Sequence, residues 1–268
     1  MNRSVLVAKR PGDDVRAILE ELAGSAVRDA AALPDRAEER IHDIRVGMKE
    51  FRAVVRLASP VLSSRELRRL DKLAREVKDA FGAARDHAVQ LGLLRELLGH
   101  HGAKEAEATL PAAAEAASLP DVADARKTCE KLSAMTRKLD LRKMTHRQII
   151  GGWSTSYREA RRAMAACGDG EEDDFLFHQW RKRVKVLLYQ SAILGPPVDG
   201  LVPGAQKLAS VLGSQHDLAV LCEKIHFCGP DAERLAFEKK RKISSLALAL
   251  GRRLFRKKPN AILKDAHE

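Results

Sequence analysis

Aromatic residues make up only 4% of the 268-residue chain, which has two Trp and two Tyr. Proteins that hold single-stranded nucleic acid usually stack bases on aromatic rings, so this shortage counts against that class. Apolar runs are short as well. The run at residues 5–8 is too short for a signal peptide, and no run approaches the length of a transmembrane helix. We therefore expect a cytoplasmic protein.

Cysteine is also scarce, and the four cysteines, none in a Cys-x-x-Cys pair, are Cys129, Cys167, Cys222 and Cys228. Cys222, His226 and Cys228, with His216 upstream, could form a metal site, but no second Cys-x-x-Cys or His-x-x-x-His pattern supports it. Reduced, mostly buried thiols are the better interpretation. We find no Gly-rich phosphate loop, no DxD-type acidic pair and no Ser/His/Asp arrangement, so we expect no metal, no cofactor and no enzymatic activity.

Positive charge is what the chain has in excess. It contains 48 Lys and Arg against 37 Asp and Glu, for a formal net charge of +11. Such a balance predicts a polyanionic partner, which could be nucleic acid, an anionic membrane surface or another phosphate polymer. Apolar residues make up 45% of the chain, enough for an ordinary globular core.

Apolar residues recur at helical spacing along most of the chain, and strand-like alternation is hard to find. We therefore predict an all-α fold. Proline and glycine separate the predicted helices, which are about 13–33, a helix ending near 59, 64–98, 103–118, 121–138, 145–167, a helix ending at 195–197, 203–227 and 231–256. The acids of segment 168–174 precede the helix that ends at 195–197, where they complement the positive end of its dipole.

One basic pattern occurs in both halves of the chain, and its two copies are His42-x-x-Arg45-x-x-x-Lys49 and His178-x-x-Arg181-x-x-x-Lys185. In both copies, bulky apolar residues stand one position before the histidine and two and six positions after it. On a helix, the basic and apolar sets form parallel stripes on adjacent faces. The apolar stripe can pack into a core while the basic stripe lines a site for a negatively charged ligand. The first basic stripe continues to Arg52 and Arg56, and the second also contains Lys182.

A charged stripe on a single helix is most simply a solvated face. Surface helices usually mix charges of both signs, however, and like charges at this spacing repel. Because the stripe is repeated, we expect it to need a counter-charge that the chain does not supply beside it. The candidate anion-binding residues, from the stripes and neighbouring helices, are His42, Arg45, Lys49, Arg52, Arg56, Arg75, Lys78, Arg85, Arg158, Arg161, Arg162, His178, Arg181, Lys182, Lys185, Lys207 and Arg253.

A second motif is also doubled. Residues 81–86 and 212–217 each run from a hydrophobe and a glycine to a basic residue and an aspartate. We interpret Asp86 and Asp217 as structural groups that cap a helix or orient an arginine. The repeat predicts two similar helical bundles of roughly 130 residues, related by an approximate two-fold axis. The expected organisation is an N-terminal tail at 1–10, a first half at 11–140 and a second half at 141–268.

These motifs resemble those of the CHAD family, whose α-helical domains are named for their histidines. The family pattern, His-x-x-Arg-x-x-x-Lys-x-x-Arg followed by Tyr or an apolar residue, is matched in full by the first copy, which ends with Arg52. In the second copy Tyr189 matches, but Leu188 replaces the arginine. This departure predicts a weaker or shorter contact surface on the second side. The likeness covers nearly all of the chain after residue 10.

The resemblance implies two four-helix bundles with a basic channel or cleft between them. It also implies non-enzymatic binding of inorganic polyphosphate by the candidate residues and association with polyphosphate granules. Polyphosphate carries a negative charge on essentially every unit and has no nucleobases. A channel lined by Arg and Lys would bind it through charge-assisted hydrogen bonds and counterion release. Two alternatives stay open: a nucleic-acid-associated protein that uses the same charge, and a phosphohistidine or metal-binding protein that uses His42 or His178. We expect no membrane partner.

Overall fold

The computed structural model describes residues 4–33, 35–81, 92–99, 122–168, 173–223 and 225–264. Within these ranges the chain is almost entirely helical and has no β-strand, which confirms the predicted all-α class. In chain order the α-helices are α1 Pro11–Ala31, α2 Ala37–Ala58, α3 Ser64–Ala80, α4 92–99, α5 Val122–Thr136, α6 His146–Ala166, α7 Asp174–Leu194, α8 Val202–Cys222, α9 Pro230–Leu254 and α10 Pro259–Lys264. Short 3-10 turns occur at Val5–Val7, Asp199–Leu201 and Ile225–Cys228.

Side chains next to the helix starts fix several of these boundaries. Ser63 and Glu66 form a reciprocal capping box at α3, and Thr145 and Gln148 form another at α6. At α7 the Asp173 carboxylate accepts hydrogen bonds from the first-turn amides at 2.8 and 3.2 Å, so the predicted role of an acid at this helix start is confirmed. These caps satisfy amides that have no partner inside the helix.

Two helices end earlier than the sequence predicts. The predicted helix 64–98 is wrong as one continuous element, because α3 ends at Ala80 and Phe81 leaves the helical conformation. The next residue in the sequence is glycine, the type that most often follows a helix end. The predicted terminator at Gly99 is confirmed, since this residue has a left-handed φ of +70°. Helix α8 ends at Cys222 and is followed by a 3-10 turn, where the sequence predicted helix to 227.

The helices contact one another in two groups. Helices α1, α2, α3 and α5 form one closed set of neighbours, and α6, α7, α8 and α9 form the other. Helix α2 joins the groups by contacting both α6 and α7. The two-fold relation between the groups and a channel between them stay predictions. The contacts nevertheless bring together the two helices that carry the basic stripes.

The hydrophobic core continues from one group of helices into the other. Its largest cluster contains Phe51 from the first group and Trp153 and Trp180 from the second, all inaccessible to solvent. A smaller cluster places Leu94 of α4 against Leu218 and other residues of α8 and α9. Helix α4 therefore packs on the second group, although it belongs to the first half of the sequence.

The segment before α1, predicted as a tail, packs on the end of α7. Val5 is fully buried, and the Ser4 hydroxyl donates a hydrogen bond to the Leu194 carbonyl at 3.1 Å. Gly195 has a φ of +72°, and a Cβ at this position would overlap the Ser4 hydroxyl. Both the backbone conformation and the close approach therefore require glycine here. None of the described helices has enough length and apolar character to cross a membrane.

Candidate functional site

The first basic stripe lies beside a buried face of α2. Ile44, Met48 and Phe51 are at most 1% exposed, so the apolar stripe faces the core as the spacing predicts. His42 is exposed at the start of the helix, and Lys49 is half-buried one turn after Arg45. The same periodicity that buries the apolar side chains holds the cations in a row along the neighbouring face.

Arg45 has a structural role that the sequence did not reveal. Its Nη1 donates to the Phe81 carbonyl at 3.0 Å and, more weakly, to the Lys78 carbonyl at 3.5 Å. These carbonyls belong to the end of α3, where backbone acceptors lack helical partners. Arg45 thus fixes α3 on α2. Its Nε is buried and has no hydrogen-bond partner among the described residues.

Asp71 of α3 neutralises two of the predicted cations. The Nε of Arg52 lies 2.7 Å from Asp71 Oδ1, and the Nε of Arg75 lies 2.9 Å from Oδ2. Burial raises the pKa of the Asp71 carboxyl, but the hydrogen bonds from Arg52 and Arg75 outweigh burial and lower it below its usual value. Asp71 is therefore ionised at neutral pH and holds both guanidinium groups in place.

Glu159 of α6 connects the helices that carry the two stripes. Its carboxylate accepts hydrogen bonds from Arg56 of α2 at 2.6 and 2.7 Å and from Arg183 of α7 at 3.0 Å. We expected the chain to supply too little acid beside the stripes. For Arg52, Arg56 and Arg75 that expectation is wrong, because helix packing brings Asp71 and Glu159 to them from distant positions in the sequence.

His178, at the head of the second stripe, lies against a second histidine. The centroids of the His178 and His216 rings are 4.4 Å apart, and the ring planes are tilted by 35°. Burial, together with the nearby charges of His216, Lys182 and Arg181, lowers the pKa of His178 to about 4. The ring is therefore neutral at pH 7. Its Nδ1 is buried and has no hydrogen-bond partner among the described residues.

Polar contacts from α8 and α9 hold the start of α7, one turn before His178. Asp174 accepts a hydrogen bond from Gln215 of α8 at 2.9 Å and another from Lys240 of α9, also at 2.9 Å. Lys240 is only 5% exposed, whereas the Asp174 side chain is 40% exposed, so water reaches this ion pair from the carboxylate side. The contacts set the position of His178 relative to His216.

Helices α2 and α7 touch one another directly. The Gln190 side chain of α7 donates from Nε2 to the Ala53 carbonyl of α2 at 2.9 Å, and both residues are buried. Tyr189 also lies close to α2: burial raises its pKa to about 12, with a further contribution from the negative charge of Glu50. Burial also raises the pKa of Glu50. A carboxyl group therefore lies beside the helix contact, which the stripe pattern did not predict.

The remaining predicted residues occupy several surfaces. Lys182 of α7, Lys207 of α8 and Arg253 of α9 are exposed. Lys78 pairs with Asp79 at 2.7 Å. Arg85 and Asp86 lie outside the described residues. The described candidates of this group therefore lie on α3, α7, α8 and α9.

Helix α6 carries three more candidate cations, all of them exposed, which are Arg158, Arg161 and Arg162. Next to them, the Tyr157 hydroxyl donates to the Lys257 carbonyl at 2.7 Å, which holds the C-terminal basic segment against α6. Burial raises the pKa of Tyr157 to about 12, and the nearby charge of Arg161 opposes this rise.

Sequence reasoning missed Glu159, Arg183, Asp71 and Glu50. Glu159 had a local signal, because it is the one acid in the basic segment 157–162. The other three carry no comparable local signal and look like ordinary solvated residues until the helices are packed together. Their roles depend on partners that are far away in the sequence.

Two of the four cysteines are buried and have a structural position. Cys129 and Cys167 are buried, and burial raises the pKa of Cys129 to about 12 and that of Cys167 to about 11. Both thiols are therefore protonated at neutral pH. Among the described side chains, no group of three or more His, Cys, Asp or Glu is placed to hold a metal ion.

The fold and the site together define an all-α protein in which two contacting helices each carry a histidine-headed basic stripe. A family model described as CHAD domain matches residues 16–226, and the chain therefore belongs to the CHAD domain family. This confirms the resemblance drawn from the doubled histidine motifs. No curated protein and no solved structure matches the chain.

Proposed function

We propose that the chain binds inorganic polyphosphate through the basic stripes of α2 and α7 and catalyses no reaction on it. One observation carries the proposal. The two helices that repeat the same His/Arg/Lys pattern lie in contact, joined by the hydrogen bond from Gln190 to Ala53. A flexible polyanion that follows one stripe can therefore reach the other. The net charge of +11 supports a partner of this kind.

The acids beside the stripes are compatible with such a ligand. The hydrogen bond from Arg52 to Asp71 uses Nε, and a guanidinium has four further N–H donors. An arginine held along one edge by a carboxylate presents its other edge to a phosphate with little loss of side-chain freedom. Asp71 thus holds the Arg52 guanidinium in position for a phosphate. The negative charge of Asp71 also weakens the attraction between Arg52 and the ligand.

A titration with labelled long-chain polyphosphate at several salt concentrations tests the proposal. The variant K49Q/K182Q/K185Q removes three stripe cations from the interior of α2 and α7, where glutamine is also a good helix former, so folding should be preserved. We expect its affinity to fall by at least about tenfold. The slope of log affinity against log salt should also fall by about one for each lost phosphate contact.

The matched control is K127Q/K131Q/K242Q, which removes the same charge from exposed positions on α5 and α9. Its affinity should stay within about threefold of the parent, because distant exposed charges are screened by salt. Equal losses in the two variants would mean that net charge alone drives binding. A single-stranded RNA that displaces polyphosphate at equal charge concentration would favour the nucleic-acid alternative. Shortening of the polyphosphate during incubation would contradict the absence of catalysis.

A further inference from the structure

We infer a second anion-binding site, separate from the histidine helices, in a cavity beside the start of α1. The cavity has a volume of about 550 Å³ and lies where residues 9–13 meet the segment between α5 and α6. Lys9, Arg10 and Arg142 contribute three positive charges to its wall, and Asp13 contributes one negative charge. No residue of either basic stripe lines it.

Existing ion pairs leave this wall positively charged. The Arg142 guanidinium is held by Asp140 through contacts of 2.9 and 2.7 Å. Arg10 is only loosely paired with Asp13, at 3.9 Å, and 84% of its side chain is exposed. Lys9 is exposed as well. Arg10 and Lys9 can therefore turn toward a ligand without breaking a close ion pair.

Close packing fixes the shape of the cavity. Gly12 is buried so tightly that a Cβ at this position would overlap the Leu141 carbonyl oxygen and lie 3.2 Å from Met144 Cβ. Leu141 and Met144 are themselves buried, and the Met144 amide donates to the Leu141 carbonyl at 2.9 Å. The start of α1 and the turn before α6 therefore form one rigid wall, so binding would order only the Lys9 and Arg10 side chains.

The polarity of this wall favours an anion. Helices α1 and α6 both begin at the cavity, at Pro11 and His146, and each contributes the positive end of its dipole. The α1 start has no side-chain cap. His146 also lines the cavity, and its Nε2 is buried with no hydrogen-bond partner among the described residues. Because the imidazole lies in the cavity wall, its NMR signals report on a ligand that binds there.

The dimensions and lining identify the class of ligand as a compact phosphate compound, from inorganic phosphate to a short oligophosphate. The cavity is too small for a long polymer, and its lining has no aromatic side chain except the His146 imidazole, so no base is stacked. Two cations that can move, a fixed guanidinium and the positive ends of two helix dipoles favour phosphate oxygens, which accept several charge-assisted hydrogen bonds at once. This site does not depend on the proposed binding of polyphosphate by the stripes.

Titration of histidine-labelled protein with inorganic pyrophosphate, followed by NMR, tests the inference. The His146 ring signal, assigned with the variant H146Q, should shift and saturate. In K9Q/R10Q the apparent dissociation constant should rise by about tenfold or more. In R126Q/K127Q, which also loses one Arg and one Lys from adjacent exposed positions, the constant should stay unchanged. No shift at millimolar pyrophosphate, or equal titrations of K9Q/R10Q and the parent, would overturn the inference.

Two further arms separate this site from other sources of binding. The stripe variant K49Q/K182Q/K185Q should keep the parental His146 titration, so failure of the proposed polyphosphate binding would leave this result unaffected. Loss of the His146 shift in that variant would contradict a separate site. Citrate should produce the shift only at concentrations about tenfold higher or more, because each carboxylate offers two acceptor oxygens whereas each phosphate group offers three. Equal potency of citrate and pyrophosphate would overturn the phosphate class.

Discussion

Glu159 and Arg56 join α6 to α2 through both oxygens of one carboxylate, at 2.6 and 2.7 Å. The same carboxylate accepts from Arg183 of α7, so a single acid lies between the helices that carry the two basic stripes. It neutralises positive charge where like charges would otherwise repel. It also occupies donors that a phosphate group could use.

The variant Glu159→Gln separates these two effects. We expect the free energy of unfolding to fall by about 1 kcal/mol, because the pair is partly exposed and solvent screens it. This corresponds to a melting temperature lower by roughly 2–4 °C. Polyphosphate should bind at least as tightly as to the parent, since Arg56 and Arg183 lose a competing negative charge. Calorimetric melting and a polyphosphate titration measure the two effects.

Glu130→Gln is the matched control, because Glu130 pairs with Arg126 at 3.0 Å on the exposed face of α5. Its melting temperature should change by less than about 2 °C, as exposed pairs contribute little. A Glu159→Gln variant as stable as this control would show that Glu159 does not hold the helices together. Weaker polyphosphate binding would show that it positions the arginines for the ligand.

Arg45→Lys tests whether Arg45 acts mainly as a structural group. Lysine keeps the positive charge but cannot reproduce the guanidinium geometry that reaches the Phe81 carbonyl at 3.0 Å. We expect a loss of about 1 kcal/mol in the free energy of unfolding, measured by urea denaturation. Arg69→Lys, at an exposed position on α3, the helix whose end Arg45 contacts, should have no measurable effect. Equal stability of the two variants would remove the helix-end role of Arg45.

The depressed pKa of His178 makes stability depend on pH. In the folded state its pKa is about 4, against 6.5 for the unperturbed group, so the unfolded chain binds more protons between these values. The free energy contributed by the neutral ring is fully present above pH 6.5 and is lost as the pH falls through this window toward 4. Urea denaturation across the window should therefore show falling stability in the parent.

His178→Gln removes this titrating group and should give a flatter dependence of stability on pH between 6.5 and 4. His42→Gln, at an exposed position, is the matched control for the loss of one histidine. Carboxylates elsewhere also titrate near the lower end, so the informative quantity is the difference between the two variants. Parallel curves for His178→Gln and the parent would rule out a buried neutral His178.

The basic stripe of α2 could be predicted because one helix determines it. A period of 3.6 residues relates Arg45 to Lys49 and separates both from the core face, whatever the helix packs against. The start of α3 was equally local, since Ser63 lies three residues before its partner Glu66. Signals of this type act within a few residues along the chain.

The contacts of Glu159 could not be predicted in the same way. The pair with Arg56 joins residues 103 positions apart, and it exists only because α2 and α6 pack together. The position of α4 has the same origin: Leu94 lies against α8 and α9, and no local pattern specifies which bundle a short helix joins. Periodicity identifies a face, whereas the partner of that face depends on the whole packing arrangement.

Two glycines on different helices should respond to alanine in opposite directions. Gly213 lies within α8, and no atom of the described residues comes within 4 Å of a Cβ built there. Gly213→Ala should therefore raise the free energy of unfolding by about 0.5–1 kcal/mol, because alanine is the better helix former. At Gly12 the added Cβ would overlap the Leu141 carbonyl oxygen, which is backbone and cannot rotate away.

Gly12→Ala should accordingly lower the free energy of unfolding by roughly 1–3 kcal/mol, as overpacking separates the start of α1 from the turn before α6. Urea denaturation of both variants under one set of conditions measures the difference.

The doubled motif at 212–217 makes the Gly213 result informative beyond stability. A more stable Gly213→Ala protein that binds polyphosphate less tightly would show that the ligand approaches this helix backbone closely. Destabilisation at Gly213 would instead contradict the open space described there.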